Sequence, residues 1–137
     1  MKKLCFAVLL AASSLVHAAG EAITVYKDPN CGCCEGWVEH LRESGYKVKA
    51  VNSEDMSAVK KRLGVPDELA SCHTGVVDAS GQVMEGHVPA AAVKKLIAKP
   101  SVKGVAVPGM PANSPGMGKM DGNLVTVDFS GKAFSKD

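Results

Sequence analysis

Four cysteines have the residue type and the spacing to carry chemistry. Cys31, Cys33 and Cys34 lie within four consecutive positions, and Cys72 follows about forty residues later. Thiolates attack disulfides and bind soft metals, so the set predicts either a redox-active thiol pair or a metal site. Two structural disulfides are a third interpretation. It is the weakest one, because a bridge within the triplet closes a very short loop and constrains the unfolded chain little.

Thiol–disulfide exchange is the first chemical alternative. Cys31 and Cys34 have the C-x-x-C spacing of thiol–disulfide oxidoreductases. Such enzymes, however, carry a cis-proline before the third core strand, where this chain has Ser-Cys-His-Thr-Gly (71–75). They also need no third thiol between the pair. We therefore rank an oxidoreductase that uses Cys31 and Cys34 second.

A metal site is the alternative that uses every thiol. Zinc is usually held by two separated C-x-x-C arms, whereas here the adjacent Cys33 and Cys34 cannot easily face a single ion. Soft Cu(I) accepts low coordination numbers and shared thiolates. Several bridged copper ions would also neutralise four thiolates, which a partly buried site favours. The sequence predicts a polynuclear Cu(I) cluster on four thiolates: Cys31, Cys33, Cys34 and Cys72.

Thioethers in the C-terminal region are candidate secondary ligands. Met110, Met117 and Met120 lie in a Pro- and Gly-rich loop (107–120) rather than on a helix. Thioethers bind Cu(I) and do not titrate, but a loop that packs its methionines on the core is an equally good interpretation. The sequence alone leaves both open.

The elements that position the cysteines begin with a βαβ unit. A β-branched and aromatic run (22–28) and an alternating run (46–52) predict two strands. Between them, apolar residues recur at i, i+3, i+4 and i+7, which predicts a helix with one buried face. These residues are Cys34, Trp37, Val38 and Leu41. The triplet therefore lies where the first strand ends and the first helix begins.

The remaining pattern predicts two helices and a hairpin. A second helix, capped by Asn52 or Ser53, directs an apolar face inward; its members are Met56, Val59 and Leu63. Residues 74–88 read as two strands around a turn, and Pro89 opens a third helix. The order β-α-β-α-β-β-α predicts an α/β fold with a thioredoxin-like core over residues 20–100. A Met-containing extension (101–137) should pack on it and end in a strand over 123–129.

The predicted topology brings Cys72 and one histidine to the triplet. The third strand should run antiparallel to the first, which returns Cys72 to the same end of the sheet. A hairpin centred on Ser80 and Gly81 would pair Thr74 with His87, which makes His87 either an outer ligand or a group that supports a ligand.

Two other histidines are predicted to lie away from the site. Alternation along an extended backbone would turn His73 away from the metal if Cys72 faces it. His40 should lie on the surface of the first helix. Trp37 should lie in the core and shield the cysteines from water.

The N-terminus and the charge balance predict export without nucleic-acid or membrane partners. Lys2 and Lys3, a short apolar run and small residues predict a signal peptide over residues 1–19, cleaved near Ala18 or Ala19. Cys5 would leave with it. Without Lys2 and Lys3 the 16 basic residues fall to 14, equal to the 14 acidic ones, so no net field attracts nucleic acid or an anionic membrane.

The sequence resembles a known family, the CopG-type periplasmic copper-resistance proteins, long grouped as a domain of unknown function. The resemblance spans residues 22–120 and rests on four segments: YKDPNCGCCEGWVEHL, ELASCHTGVV, EGHVPAAAVKKL and GVAVPGMPANSPGM. It implies a thioredoxin-like fold that carries copper on the four cysteines and a periplasmic role in copper resistance. Copper ions are the expected partner, and another periplasmic copper-transport protein is a further candidate. Whether Cu(I) and Cu(II) are interconverted, which would make the chain a copper oxidoreductase, stays open.

Overall fold

Short β-branched runs of the sequence form one mixed sheet with helices packed on it. The structure is a computed structural model that describes residues 20–137, so the predicted signal peptide lies outside the described residues. Its elements are β1 (Ala22–Lys27), α1 (Gly32–Glu43), β2 (Lys47–Asn52), α2 (Met56–Arg62), a 3-10 turn (Asp67–Leu69), β3 (His73–Val77), β4 (Val83–Glu85), α3 (Ala90–Ile97), β5 (Gly104–Ala106), β6 (Val125–Asp128) and β7 (Ala133–Lys136). Up to α3 this is the predicted order, and the thioredoxin-like α/β fold class is confirmed.

The sheet topology places two chain segments at one end of the sheet. The strand order is β2-β1-β3-β4-β5-β6-β7, with β2 parallel and β3 antiparallel to β1. In that register the last residue of β1, Lys27, lies opposite the first residue of β3, His73. The segment after β1 and the segment before β3 therefore meet, and these are the segments that carry the cysteines.

The core lies between the sheet and the helices. The predicted face of α1 is buried, since Cys34, Trp37, Val38 and Leu41 are all inaccessible to solvent. Trp37 packs in this cluster, and its indole nitrogen donates a hydrogen bond to the carbonyl oxygen of Val88 at 2.8 Å. The indole N–H of a buried Trp usually has a hydrogen-bond acceptor. Here the bond to Val88 fixes the position of α1 relative to the chain segment before α3.

The structure corrects the predicted hairpin register. Thr74 pairs with Glu85, not with His87, because the connection has four residues, 78–81, and its centre lies one position earlier than that of a two-residue turn at Ser80 and Gly81. A shift of one position in the centre moves the partner of Thr74 by two. The prediction assumed a tight two-residue turn at Ser80 and Gly81. As a result Glu85, rather than His87, belongs to the ladder, and His87 lies beyond the end of β4.

The start of α2 also differs from the prediction. Asp55 caps the helix, and its carboxylate accepts a hydrogen bond from the backbone nitrogen of Ala58 at 2.9 Å. Asn52 ends β2 and cannot cap a helix that begins four residues later. Of the predicted inward residues only Val59 is buried, whereas Met56 and Leu63 are half-buried.

The C-terminal extension adds three strands to the sheet. β5 pairs in parallel with β4, and β6 and β7 continue the sheet in antiparallel pairs. The strand predicted over 123–129 corresponds to β6, while β5 and β7 were not predicted. Within residues 20–137, no helix is long and apolar enough to cross a membrane.

Candidate metal centre

The cysteine triplet follows a tight turn at the end of β1. The carboxylate of Asp28 accepts a hydrogen bond from the backbone nitrogen of Asn30 at 2.7 Å, and its carbonyl accepts one from the nitrogen of Cys31 at 3.2 Å. Cys31 is the N-cap residue of α1, with Cys33 and Cys34 in the first turn. The free backbone N–H groups and the positive end of the helix dipole favour thiolates at this position.

Four sulfur atoms meet at this helix terminus. The Sγ atoms of Cys31, Cys33, Cys34 and Cys72 all lie within 4.8 Å of one another. Cys31 and Cys34 form a disulfide, and Cys33 and Cys72 are free thiols. The Sγ of Cys33 lies 3.5 Å from that of Cys31 and 4.0 Å from that of Cys72. The topology thus brings together the four sulfurs selected from the sequence.

Two buried histidines complete the surroundings of Cys72. The Sγ of Cys72 lies 3.5 Å from Nδ1 of His73 and 3.4 Å from Nε2 of His87. The prediction that His73 faces away from Cys72 is wrong. Strict alternation holds only inside a strand, and Cys72 lies in a bend one residue before β3 begins. His87 lies beside Cys72 as expected, although the hairpin pairing used to place it was incorrect.

The far nitrogen of each imidazole is held by a backbone carbonyl. Nε2 of His73 lies 2.8 Å from the carbonyl oxygen of Gly86, and Nδ1 of His87 lies 2.7 Å from that of Pro115. A carbonyl oxygen only accepts, so both of these nitrogens carry the proton. In the neutral form of each ring, the nitrogen that faces Cys72 then has a lone pair available.

Burial keeps His73 neutral. Desolvation, followed by the neighbouring His87, lowers the pKa of His73 to about 3. Its ring stacks on Trp37 with centroids 4.3 Å apart and meets the ring of His87 edge-on at 4.8 Å. Trp37 thus covers the ring of His73 on the core side. That Trp37 shields the cysteines from water stays a prediction.

A buried carboxylate, missed by the sequence analysis, supports the segment before Cys72. Glu85 is fully buried, and it accepts hydrogen bonds from the backbone nitrogen of Ser71 and the hydroxyl of Thr74, both at 2.6 Å. The ammonium group of Lys60 pairs with it at 2.5 Å. The bond to Ser71 fixes the backbone next to Cys72. A lone acidic residue in an apolar strand was the only available sequence cue.

The C-terminal extension packs its backbone against the site. A Cβ atom added to Gly116 would lie 2.8 Å from the backbone nitrogen of Trp37 and 3.0 Å from the carbonyl oxygen of Cys33. At the other end of the loop, the hydroxyl of Ser71 donates to the carbonyl oxygen of Gly109 at 3.1 Å. The loop therefore flanks the cysteines on two sides.

The loop methionines do not pack into the core. The exposed fractions of Met110 and Met117 are 55% and 40%, and Met120 is half-buried. Each of the first two directly follows a glycine that contacts the cysteine segments. The backbone next to Met110 and Met117 is therefore held against the cysteine segments, while their side chains are exposed to solvent.

His40 is only partly exposed, contrary to the predicted surface position. Its Nε2 accepts a hydrogen bond from the backbone nitrogen of Ala90 at 3.0 Å, which joins the last turn of α1 to the start of α3. Burial is the main cause that lowers the pKa of His40. His40 therefore serves the packing of α1 against the start of α3.

Solved structures of similar proteins show which family the chain belongs to. Two structures of copper resistance protein CopG, Form 1 and Form 2, are each 48% identical to the chain and cover 86% of it and 98% of their own length. Their TM-scores are 0.74 and 0.75. The chain belongs to the CopG family. A family model described as "Protein of unknown function, DUF411" matches residues 69–117, the part of the CopG fold that contains Cys72, both buried histidines and most of the methionine loop. No protein with curated functional information matches the chain.

Proposed function

We propose that the chain is a periplasmic copper-binding protein of copper resistance and homeostasis that holds Cu(I) in a polynuclear cysteine-thiolate cluster. The observation that carries the proposal is the approach of four sulfur atoms, from two distant chain segments, to within 4.8 Å of one another. The two similar solved structures are named copper resistance proteins, which supports copper as the cargo. Thiolates are soft donors that select Cu(I).

The sulfur spacing supports shared ligation. Two thiolates bound to one ion at about 2.3 Å each lie about 3.8 Å apart. The distances from Cys33 to Cys31 and to Cys72, 3.5 and 4.0 Å, bracket that value. Cys33 is therefore placed to bridge metal ions between Cys31 and Cys72. This gives Cys33 a function in a metal cluster, whereas an oxidoreductase would not need it.

The disulfide connects the cluster to a redox step. Four thiolates are available only after an external dithiol reduces the Cys31–Cys34 bond: the two cysteines gain two electrons and two protons, and the dithiol leaves as its own disulfide. In the reverse direction, two Cu²⁺ ions that each take one electron from the Cys31 and Cys34 thiolates become two Cu⁺ ions and leave the disulfide. We include this interconversion of Cu(I) and Cu(II) in the proposal. The loop methionines Met110, Met117 and Met120, together with His87, serve as secondary ligands, and a periplasmic copper-transport protein is the proposed exchange partner.

An anaerobic Cu(I) titration of the reduced protein tests the cluster. The wild type should bind several Cu(I) ions per chain, with all four thiols protected from a thiol reagent. Cys72→Ser should lower the number of ions bound rather than weaken one site, because bridging thiolates share their metals. The control is Ser44→Ala, a helix-end residue far from the sulfurs. Unchanged stoichiometry in Cys72→Ser would contradict the four-thiolate cluster.

Thiol–disulfide exchange is the second candidate, and the Cys31–Cys34 bond favours it. Replacing Cys33 distinguishes the two functions, because thiol–disulfide exchange needs only Cys31 and Cys34. An oxidoreductase should reduce a protein disulfide equally well after Cys33→Ser and lose the activity after Cys31→Ser. We expect weak exchange in the wild type and a strong loss of Cu(I) binding in Cys33→Ser. Rapid exchange that is insensitive to Cys33 would establish the second candidate instead.

A further inference from the structure

Lys27 is a buried cation at the end of β1 that precedes the cysteine triplet. Only 3% of its surface is exposed. Lysine is almost never buried to this extent unless it is paired, because removing an ammonium group from water is costly. In the sheet Lys27 lies opposite His73, which stacks on Trp37 of α1. Residues opposite each other in an antiparallel pair share a face, so Lys27 lies on the face where α1 packs.

The ammonium group of Lys27 holds the chain on both sides of the cysteine triplet. Before the triplet, it donates a hydrogen bond to the carbonyl oxygen of Asp28 at 3.3 Å, and the same oxygen accepts the backbone N–H of Cys31. After the triplet, it pairs at 2.8 Å with the carboxylate of Glu35, a residue of the first turn of α1. One side chain thus connects the turn that leads into Cys31 with the helix that follows it.

The charge of Lys27 is only partly balanced by its partner. The side chain of Glu35 is 59% exposed, so water screens its carboxylate far more than the buried ammonium. The side chain of Asp28 accepts from the backbone nitrogen of Asn30 in an exposed turn. The N-terminus of α1 adds a further positive potential. A cation in this place is stabilised by negatively charged sulfur and not by a neutral disulfide, so these surroundings favour the reduced cysteines.

We propose that Lys27 is a positioning residue for the redox step, and that its buried charge shifts Cys31 and Cys34 toward the dithiol form. When glutathione attacks the disulfide, its sulfur bonds to one cysteine and the other cysteine leaves as a thiolate. A second glutathione displaces the first, so the two cysteines gain two electrons and two protons and glutathione leaves as its own disulfide. Lys27 stabilises the negative charge on the departing sulfur in both exchanges. This inference rests on the redox part of the proposed function and requires no metal.

The equilibrium of the metal-free protein with glutathione tests this role. The protein is equilibrated without oxygen at neutral pH in buffers with a known ratio of reduced to oxidised glutathione. The thiols of Cys31 and Cys34 are then alkylated and quantified by peptide mass spectrometry. Lys27→Met removes the charge and keeps an unbranched side chain. We expect it to favour the disulfide about tenfold, equivalent to a reduction potential about 30 mV lower. Lys27→Arg retains the charge and should remain closer to the wild type.

Glu35→Gln separates the effect of the charge from that of the contact. Lys27→Met and Glu35→Gln break the same ion pair, but they remove opposite charges. If the pair only held the turn in place, both variants would shift the equilibrium in the same direction. The charge of Lys27 predicts instead that Glu35→Gln shifts it about two- to threefold toward the dithiol, a small effect because Glu35 is exposed.

A control and the opposing outcomes complete the test. Glu39→Gln removes an exposed carboxylate one turn further along α1 and should leave the equilibrium unchanged. Shifts of the same sign in Lys27→Met and Glu35→Gln, or no shift in either, would overturn the proposal. Should Lys27→Met fail to fold, the surface variant Glu35→Gln decides alone, and the absence of a shift toward the dithiol would overturn the proposal. The Cu(I) titration tests the cluster separately, since no copper is present in this equilibrium.

Discussion

Gly116 of the extension lies directly against Gly36 of α1: a Cβ atom added to Gly36 would be only 3.0 Å from the Cα of Gly116. This contact holds the loop that carries Met117 beside the cysteine triplet. Because Pro115 precedes Gly116 and accepts the hydrogen bond from His87, the same contact also positions one imidazole. The extension is therefore part of the site's construction, although it supplies none of the four sulfurs.

Replacement of Gly116 should be costly for steric reasons. Gly116→Ala introduces a Cβ atom that overlaps the backbone of Trp37 and Cys33, in a residue with a φ of +89°. Gly109→Ala is the matched control, since its φ is +72° but a Cβ atom would meet nothing within 4 Å. Both pay the cost of a left-handed conformation, about 1–2 kcal/mol. Urea unfolding should show an additional loss of about 1–3 kcal/mol for Gly116→Ala alone; equal losses would mean that the loop moves freely.

The loop methionines should affect the rate of copper transfer more than its amount. Thioethers bind Cu(I) more weakly than thiolates. Met110 and Met117 are exposed, and each follows a glycine that contacts the cysteine segments. Replacing Met110, Met117 and Met120 with leucine should slow Cu(I) uptake in stopped-flow experiments and leave the final stoichiometry intact. Met56→Leu, a half-buried methionine on α2, is the sulfur control. Complete loss of copper would make the methionines primary ligands, and unchanged rates would assign them no part in transfer.

The buried carboxylate should contribute strongly to stability. Glu85→Gln removes the charge that pairs with Lys60 and places an amide among three donors, from Lys60, Ser71 and Thr74. Breaking a buried pair in this way costs about 3–5 kcal/mol. Glu39→Gln, which alters an exposed pair with Arg42 at 3.8 Å, should cost less than about 1 kcal/mol. Similar urea midpoints for the two variants would contradict the supporting role of Glu85.

His40 should make the stability of the metal-free protein depend on pH. Burial lowers its pKa in the folded state, so the unfolded chain takes up the proton first as the pH falls below about 6.5. The contribution of His40 is complete above that pH and declines below it, because a protonated Nε2 cannot accept from Ala90. His40→Gln retains an acceptor that does not titrate. Melting temperatures between pH 7 and pH 5 should fall less steeply in this variant, and identical slopes would show that His40 does not contribute.

The sequence predicted the parts of the fold that depend on periodicity. The buried face of α1 and the return of Cys72 to its N-terminus follow from hydrophobic spacing and from the antiparallel β3. The register of the β3–β4 hairpin could not be predicted from the sequence. The turn-forming residues within 78–81 are compatible with a connection of either two or four residues, and each length gives a different register. β5 and β7 were missed because strands of three or four residues take their stability from the sheet they join.

The positions of several side chains around Cys72 could not be predicted from the sequence either. His73 was misplaced because the alternation rule was applied to Cys72, a residue outside the strand. Glu85 carries no sequence pattern, and its partners Lys60 and Ser71 come from elements that only the tertiary fold brings together. The four sulfurs could be selected in advance, since they share one residue type and two chain segments, whereas the groups that orient them could not.

The unequal burial of Cys31 and Cys34 gives the disulfide a direction of reaction. Cys34 is fully buried on the inner face of α1, while Cys31 is half-exposed at the helix N-cap. An incoming thiol from solvent can therefore attack only the sulfur of Cys31, and Cys34 departs as the leaving thiolate. The resulting adduct would be carried by Cys31, and the first sulfur released for a metal would be the one deepest in the protein.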